Sequence, residues 1–361
     1  MNFNTLKDIK PNCDIVIGLV YGDEGKGKIT NYLAQKVSEG KEIQNHLCIR
    51  YNGGPNAGHT VYKDGVKVVT HQIPTGVIWG MTGIIGDNCY VDIYKLQKEL
   101  QEVEELTGDV TIRKRLYISK KAHLILQTHI QEDSKDKTIG TTRSGIGPCA
   151  RDKYERTGRQ LGTNLQLLEN AIPNENVISP YELIQNAIKS HRYILVEGAQ
   201  GFGLDITHGD YPYLTSSHCC ATDCLNMGIP FRYVRDIYGV GKAYDTYVGA
   251  KEFQTEGDDV LHKLQVVGEE FGATTGRQRQ CNYLNLDFLI RSINTNSCTK
   301  VILNKCDILK RVDGSWKFIY LGELHNYNSY GLWEKEVYNI ILRDTWINRN
   351  SIKFSFSKSD I

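Results

Sequence analysis

A glycine-rich segment with four charged side chains gives the first chemical signal in this sequence. Residues 22–28 read Gly-Asp-Glu-Gly-Lys-Gly-Lys, after an apolar run at 15–20 and before helical apolar spacing at 29–34. A turn between a strand and a helix can direct backbone N–H groups and a helix N-terminus at phosphates. The spacing is shorter than in the common loop Gly-x-x-x-x-Gly-Lys-Ser/Thr. The acidic pair predicts a carboxylate that holds a metal ion beside a triphosphate, acts as a base, or does both. A glycine-rich turn without a ligand is the alternative.

Two further polar loops offer groups that suit phosphoryl chemistry. Residues 52–60 place Asn56 and His59 among three glycines. The backbone there can approach a ligand closely, and the imidazole can polarise a phosphoryl oxygen. Residues 140–148 read Gly-Thr-Thr-Arg-Ser-Gly-Ile-Gly-Pro, and their hydroxyls and arginine suit a phosphate monoester. A structural histidine and an ordinary polar loop are the alternatives.

Three later segments suit recognition of a purine, a dicarboxylate and a guanine base. Gln200 follows a strand-like run, and its amide offers both a donor and an acceptor to a purine edge. Arg277 and Arg279 lie two residues apart on a glycine-flanked loop and can clamp a dicarboxylate. Residues 304–307 read Asn-Lys-Cys-Asp after an apolar run. This arrangement reads guanine when the aspartate accepts from the base and the lysine stem packs on its ring.

These loops need a scaffold that brings them together, and the apolar pattern predicts one. Apolar runs alternate with helical patterns, which is typical of a largely parallel sheet covered on both faces. Loops past the carboxyl ends of such strands build the ligand site, so we expect the polar loops to converge on one cleft. We predict an α/β fold with a large, mostly parallel, twisted central sheet flanked by helices, related to the P-loop NTPases. The predicted strands cover residues 13–20, 46–51, 83–86, 193–197, 231–237, 300–304 and 352–356, and the predicted helices include 92–106 and 332–342.

Composition and charge exclude several classes of protein. The 361 residues include 43 basic and 42 acidic side chains, a balance that argues against a broad nucleic-acid or membrane-surface footprint. No stretch is apolar for long enough to span a bilayer, and the polar start has no signal-peptide core. Ten cysteines lack metal-type pairing. We expect a cytoplasmic protein with reduced thiols and no nucleic-acid or membrane partner. We also expect a single domain over residues 1–361, with a polar tail at 1–12.

Seven short motifs follow one another from Gly22 to Asp307. They read Gly-Asp-Glu-Gly-Lys-Gly-Lys, Asn-Ala-Gly-His-Thr, Gly-Ile-Gly-Pro, Glu-Gly-Ala-Gln-Gly, Tyr-Pro-x-x-Thr-Ser-Ser, Thr-Thr-Gly-Arg and Lys-x-Asp. In this order they resemble the adenylosuccinate synthetase family. The resemblance implies a carbon–nitrogen ligase that uses GTP, Mg²⁺, IMP and L-aspartate. It also implies a 6-phosphoryl intermediate and the products GDP, phosphate and adenylosuccinate.

The resemblance also implies roles for individual residues. Asp23 would take the N1 proton of the purine, His59 would stabilise the transferring γ-phosphoryl group, and Gln200 would hold the purine edge. Asp23 and the carbonyl of Gly58 would hold Mg²⁺. The 5′-phosphate would be held by Asn56, Thr142, Thr215 and, from the partner subunit of a homodimer, Arg156. L-aspartate would be held by Thr275, Arg277 and Arg279. GTP would be bound by Gly22, Glu24, Gly25, Lys26, Gly27, Lys28, Lys305 and Asp307.

Two alternatives stay open at this level. A phage-type relative joins aspartate to dGMP for 2-aminoadenine DNA, and many such enzymes carry Ser or Thr in place of the loop aspartate. Asp23 favours IMP, whereas the short sequence after Asp307 and the altered C-terminal segment 357–360 keep dGMP open. A GTP-binding switch protein would share the phosphate loop and Asn-Lys-Cys-Asp. These segments, however, lie about 280 residues apart, and a switch has no use for Arg277 and Arg279.

Overall fold

Strands and helices alternate along most of the chain. The structure is a computed structural model that describes residues 10–40, 42–168, 171–272, 276–357 and 360. The strands are β1 (Cys13–Gly18), β2 (Leu47–Gly53), β3 (His59–Lys63), β4 (Val66–Thr70), β5 (Thr82–Val91), β6 (Leu116–Ser119), β7 (His123–Leu124), β8 (Val177–Ile178), β9 (Ile194–Glu197), β10 (Val234–Lys242), β11 (Tyr244–Tyr247), β12 (Gln280–Asn285), β13 (Lys300–Asn304), β14 (Lys317–Tyr320), β15 (Glu323–Asn326) and β16 (Ile352–Phe354). The α-helices are α1 (Lys26–Ser38), α2 (Ile93–Thr107), α3 (Ile112–Arg115), α4 (Gln127–Asp133), α5 (Ile146–Glu155), α6 (Pro180–Lys189), α7 (Asp259–Val267), α8 (Leu286–Thr295), α9 (Cys306–Arg311) and α10 (Tyr330–Asp344).

A ten-stranded sheet forms the centre of the fold, and all of its pairings are parallel. The strand order is β16-β13-β10-β1-β9-β2-β5-β6-β8, and β7 also pairs with β5. Every residue of β1, β2 and β9 is buried. Continuous burial is what parallel strands covered on both faces require, so the predicted sheet is confirmed.

Successive side chains of β1 enter two different apolar clusters, one on each face of the sheet. Ile15 and Ile17 pack in the cluster that contains α8, whereas Val16 packs in the cluster that contains α1. This alternation follows from the two-residue period of a strand. The cores on both faces therefore fix the direction of β1 and of the loop that follows it.

Two smaller sheets lie outside the prediction. β3 and β4 form an antiparallel hairpin that starts at His59. The strands β11, β12, β14 and β15 form a mixed sheet. The strand predicted at residues 231–237 begins later and runs over Val234–Lys242, because a 3-10 turn at Phe231–Tyr233 follows Pro230. Within the described ranges, no α-helix has the length and apolar character needed to cross a bilayer.

The parallel sheet places several loops at one edge. β1, β9, β2 and β13 end at the same edge, because parallel neighbours share a direction. The chain leaves β1 through residues 19–25 and enters α1 at Lys26, with Gly25 as N-cap at φ 96°. Glycine tolerates this left-handed backbone, which turns the chain sharply from strand to helix.

Candidate active site

One cavity collects most of the predicted site residues. It has a volume of about 540 Å³ and lies where the loops after β1, β2 and β9 meet the segments near 140, 215 and 277. The predicted site residues that line it are Gly22, Asp23, Gly25, Lys26, Gly27, Lys28, Asn56, Gly58, His59, Thr142, Gln200, Thr215, Arg277 and Arg279. The polar loops therefore converge, as expected for an open parallel sheet.

The Glu24 side chain lies inside the phosphate loop rather than on the cavity wall, and its role in GTP binding stays a prediction. Its side chain is fully buried. The carboxylate accepts the backbone N–H groups of Val20 at 3.2 Å and Gly22 at 2.8 Å. Lys26 Nζ donates to it at 2.6 Å. A Cβ at Gly18 would lie 2.6 Å from the carboxylate oxygens, so glycine leaves room for them. Glu24 thus shapes the loop from within.

Lys28 ties the phosphate loop to the segment that was predicted to read guanine. Its Nζ donates to Asn304 Oδ1 at 3.0 Å, although 276 residues separate the two side chains. It also donates to Ser355 Oγ at 2.5 Å and to the Ser357 carbonyl at 2.7 Å. Burial lowers the pKa of Lys28 to about 8. The tertiary structure therefore joins two segments for which the sequence predicted one ligand.

Asp23 occupies a strained backbone position at the cavity. Its φ is 56°, and Gln200, Lys305 and Arg156 have φ values of 56°, 66° and 65°. Left-handed backbone costs a non-glycine residue energy and concentrates at functional sites. The Asp23 carboxylate is 30% exposed and accepts Arg279 Nε at 2.8 Å. Among the described residues its other oxygen has no hydrogen-bond partner, so the carboxylate can reach a ligand.

His59 lies against a buried ion pair. Arg50 on β2 and Glu197 on β9 are register partners, and Arg50 Nη2 lies 3.0 Å from Glu197 Oε1. His59 Nδ1 lies 3.6 Å from the same oxygen. Burial and the Arg50 guanidinium lower the pKa of His59 to about 4. Burial alone would raise the pKa of Glu197, but Arg50 and His59 lower it to about 2. His59 is therefore a neutral imidazole at pH 7, able to donate one N–H.

Gly27 allows the N-terminus of α1 to lie against His59. A Cβ at this position would lie 2.8 Å from His59 Cβ, which is closer than real Cβ atoms come. The glycine therefore brings the N–H groups of the helix and the imidazole to one wall of the cavity. Both are suited to an anionic phosphoryl group.

Two side-chain oxygens at the cavity lack protein partners. Asn56 Oδ1 and Gln200 Oε1 are buried and have no hydrogen-bond partner among the described residues. Both residues line the cavity. Buried polar atoms are nearly always hydrogen-bonded, so these two side-chain amides indicate a polar ligand in the cavity.

The predicted dicarboxylate clamp borders the same cavity. Arg277 Nη1 donates to the Gly140 carbonyl at 2.8 Å, which ties the loop near 277 to the loop that carries Thr142. Arg277 and Arg279 both line the cavity. The predicted clamp residue Thr275 lies outside the described residues. The two guanidinium groups offer planar donors to carboxylates.

Comparison with known proteins identifies the family to which this arrangement belongs. The family model described as adenylosuccinate synthetase matches residues 15–174 and 163–315, which is most of the chain. The chain belongs to the adenylosuccinate synthetase family. It is accordingly a carbon–nitrogen ligase.

Individual synthetases are similar over most of their length. The adenylosuccinate synthetase of Chlorobium chlorochromatii is 36% identical over 355 residues, which cover 86% of this chain and 80% of that protein. The Chlorobaculum tepidum synthetase is 38% identical, with 82% and 76% coverage. The fully ligated synthetase of Plasmodium falciparum superposes with a TM-score of 0.78 at 26% identity, covering 94% and 99% of the chains.

A phage enzyme shares the fold. The succinoaminodeoxyadenylate synthetase of cyanophage S-2L, bound to dGMP and to dATP as an energy donor, superposes with a TM-score of 0.66. It covers 92% of this chain and 99% of the phage chain, at 22% identity. At that identity the likeness establishes the architecture alone.

Besides Glu24, three described residues that the resemblance to the synthetases assigned lie outside the cavity wall. Lys305 is the N-cap of α9, and its Nζ donates to the Gly268 carbonyl at 2.8 Å. Asp307 pairs with Arg311 at 3.4 Å near the surface. Arg156 is exposed at the C-terminus of α5. Their roles in this synthetase stay predictions.

Sequence reasoning missed the charged side chains that support the synthetase site. It gave no role to Arg50, Glu197, Lys242 or Glu270, which are all buried. The available signal was a charge beside apolar residues, as in Ile-Arg-Tyr at 49–51. Charged side chains are rarely buried without a partner. A charged residue within an apolar run therefore indicates an ion pair whose second member the sequence does not identify.

The site can hold a divalent cation of the kind that the family uses. The Asp23 carboxylate and the Gly58 carbonyl line one cavity and are hard oxygen donors of the type that Mg²⁺ prefers. The three other acidic residues of the lining already have partners: Glu132 pairs with Arg151, Asp133 accepts the Gly145 N–H, and Asp136 accepts the Gly140 N–H. Asp23 is therefore the carboxylate best placed to reach a cation.

Proposed function

We propose that this chain joins L-aspartate to C6 of IMP, with GTP as the phosphoryl donor, through a 6-phosphoryl intermediate. The products are adenylosuccinate, GDP and phosphate. One observation carries this proposal: Asp23, His59 and Gln200 face one cavity, in which Gln200 Oε1 is buried and unpaired. A base, a neutral hydrogen-bond donor and an amide acceptor are the groups that activation of a purine lactam requires.

The chemistry follows from the poor leaving group on the purine. The lactam oxygen at C6 leaves poorly until it is phosphorylated. Asp23 takes the N1 proton, so that O6 becomes nucleophilic and attacks the γ-phosphoryl group of GTP, releasing GDP. The amine of aspartate then adds at C6. The C6–O bond breaks and phosphate leaves with that oxygen, and the amine loses a proton. Positioning and charge stabilisation provide most of the rate acceleration.

His59 stabilises the phosphoryl group while it moves. The low pKa keeps the imidazole neutral, so it donates one N–H without adding a positive charge beside Arg50. Glu197 and Arg50 orient the ring: Glu197 lies 3.6 Å from Nδ1, and Arg50 lies 3.3 Å from Nδ1 and 3.4 Å from Nε2. Asp23 and the Gly58 carbonyl would hold Mg²⁺, which would neutralise charge on the phosphate oxygens.

The remaining residues bind and orient the three substrates. The 5′-phosphate of IMP is held by Asn56, Thr142, Thr215 and Arg156 of the partner subunit. L-aspartate is held by Thr275, Arg277 and Arg279. GTP phosphates meet the loop Gly22, Glu24, Gly25, Lys26, Gly27 and Lys28, and the guanine base is read by Lys305 and Asp307.

Assembly and location are part of the proposal. A homodimer is supported by the exposed Arg156, which lies off the wall of its own cavity. Ten buried cysteines without disulfides support a reducing compartment, and we place the enzyme in the cytoplasm.

A competition assay tests the acceptor. Protein, Mg²⁺, GTP and L-aspartate are mixed with equal IMP and dGMP, and the products are read by mass spectrometry. We expect adenylosuccinate to dominate, because Asp23 is retained. A dominant 2-amino deoxy product would assign the chain to the chemistry of its phage neighbour. GTP hydrolysis that needs neither aspartate nor a purine monophosphate would indicate a switch protein.

A further inference from the structure

Glu270 is a buried carboxylate shared by four side chains from different segments. Its side chain is fully buried. It accepts the Tyr244 hydroxyl at 2.6 Å, Lys242 Nζ at 3.0 Å and Arg279 Nη1 at 2.5 Å. Lys305 Nζ lies 3.7 Å from Oε1. Burial alone would raise the pKa of Glu270, but the three cations lower it to about 2, so it is ionised at neutral pH.

Arg279 is fixed by Glu270 at two points. Its backbone N–H donates to the Glu270 carbonyl at 2.9 Å, in addition to the side-chain ion pair. On the other side, Arg279 Nε donates to Asp23 Oδ2 at 2.8 Å. The guanidinium that borders the cavity therefore takes its orientation from one carboxylate behind it and one beside it.

Lys305 contacts the turn at residues 268–270, which carries Glu270. Its Nζ donates to the Gly268 carbonyl at 2.8 Å, two residues before Glu270, and faces the Glu270 carboxylate. Lys305 lies in the segment assigned to the donor base, whereas Arg279 lies in the aspartate clamp. One carboxylate thus joins two subsites that do not share a cavity wall.

We propose that Glu270 is a positioning residue that couples occupancy of the donor-base segment to affinity for the dicarboxylate. The inference rests on the proposed function, from which it takes the ligands of Lys305 and Arg279. A base that packs on the Lys305 stem orders Lys305 and the 268–270 turn. Arg279 is then already in place when the acidic substrate arrives, so the second ligand meets a smaller ordering cost.

The charge of Glu270 is essential to this coupling. Without it, Lys242, Arg279 and Lys305 would be three cations close together with no shared counter-ion. Their repulsion would separate Arg279 from Lys305 and leave each free to move on its own. Glu270→Gln keeps the shape of the side chain and removes the charge.

Binding linkage tests the proposal without turnover. Calorimetry gives the affinity for L-aspartate with IMP saturating, in the presence and absence of GDP; dGMP replaces IMP if the competition assay selects it. We expect GDP to tighten aspartate binding about 10-fold in the unaltered chain, an effect typical of coupled sites. In Glu270→Gln we expect an effect of less than about 2-fold. Equal coupling in both proteins would overturn the role of Glu270.

A matched control separates coupling from stability. Asp14 at the start of β1 is also a buried carboxylate held by an arginine and a tyrosine, with Arg235 Nε and the Tyr193 hydroxyl each at 2.9 Å. Asp14→Asn should lower Tm and keep the full effect of GDP on aspartate affinity. If it removes the effect as Glu270→Gln does, general destabilisation is the cause and the proposal is wrong.

A second variant covers failure of Glu270→Gln to fold. Tyr244→Phe removes one hydrogen bond to Glu270 and leaves its charge. We expect the effect of GDP on aspartate affinity to fall part-way, and an unchanged effect would overturn the inference. Absence of adenylosuccinate with either purine would instead refute the proposed function. If adenylosuccinate forms but the effect of GDP on aspartate affinity is the same in the variants as in the unaltered chain, only the Glu270 proposal is refuted.

Discussion

Arg279 Nε lies 2.8 Å from Asp23 Oδ2, so a side chain of the dicarboxylate clamp pairs directly with the proposed base. The two residues are 256 positions apart in the sequence. The contact holds Asp23 in place at the cavity, beside a permanent cation. In the proposed mechanism, an acidic substrate at Arg279 therefore approaches the residue proposed to remove the purine proton.

Replacing the proposed base should stop catalysis and spare nucleotide binding. We expect Asp23→Asn to lower kcat by at least about 1,000-fold, within the range for loss of a general base that also binds a metal ion. GDP affinity, measured by calorimetry, should stay within about 3-fold, since we propose that the helix N-terminus and the lysines bind the phosphates. Turnover close to that of the unaltered protein would show that another group is the base.

The aspartate clamp predicts a selective change in KM. Arg277→Leu removes charge-assisted hydrogen bonds and should raise KM for L-aspartate about 10- to 100-fold. KM for GTP and for the purine monophosphate should change little. Arg232→Leu is the control, because Arg232 is exposed beside the amino end of β10, away from the cavity. An unchanged aspartate KM in the Arg277 variant would remove this residue from the clamp.

The neutral state of His59 predicts a dependence of stability on pH. Its pKa is about 4 in the folded protein and near 6.5 when exposed, so the unfolded chain binds the proton first. The contribution of neutral His59 to the free energy of unfolding is fully present above about pH 6.5. It falls as the pH drops toward 4, by up to about 1.4 kcal/mol per pH unit. His59→Asn should flatten the slope over this window, as measured by denaturant unfolding at pH 7, 6 and 5. The same slope in both proteins would mean that other groups cause it.

Guanine recognition by Asp307 predicts a change in donor preference. Asp307→Ala should lower the ratio of kcat/KM for GTP to that for ATP by about 10-fold or more, since charged hydrogen bonds to the base are lost. Arg311→Ala is the matched control, because Arg311 pairs with Asp307 at 3.4 Å but has no assigned contact with the base. An undiminished preference for GTP in the Asp307 variant would place the base elsewhere.

A shared site predicts complementation between inactive chains. Mixed Arg156→Leu and Asp23→Asn chains should form hybrid dimers in which one of the two sites has both side chains intact. With random exchange, this should restore about one quarter of the activity if the dimer is symmetric. Subunit exchange is confirmed separately with tagged chains. Exchange without any recovery would show that Arg156 does not act across the interface.

The sequence alone determined the type of fold and the loops that build the site. The apolar runs at 13–20 and 193–197 are buried on both faces in a parallel sheet, so their pattern required helices on either side. Glycine-rich polar loops after such strands could only gather at the carboxyl edge. Local chemistry, such as the neighbouring arginines Arg277 and Arg279, was visible without the fold because it lies within a few residues.

The tertiary structure decided which charged side chains face the ligands and which support them. Glu24 looked like a ligand beside Asp23, yet its carboxylate turns inward to the N–H of Gly22 and to Lys26. Arg50 and Glu197 become partners only because β2 and β9 align in one register. Such pairings depend on strand order and on distances between segments far apart in the sequence, and no local pattern encodes either. The sequence thus specified the chemistry of the loops, whereas the packed sheet set the charge, orientation and contacts of each group.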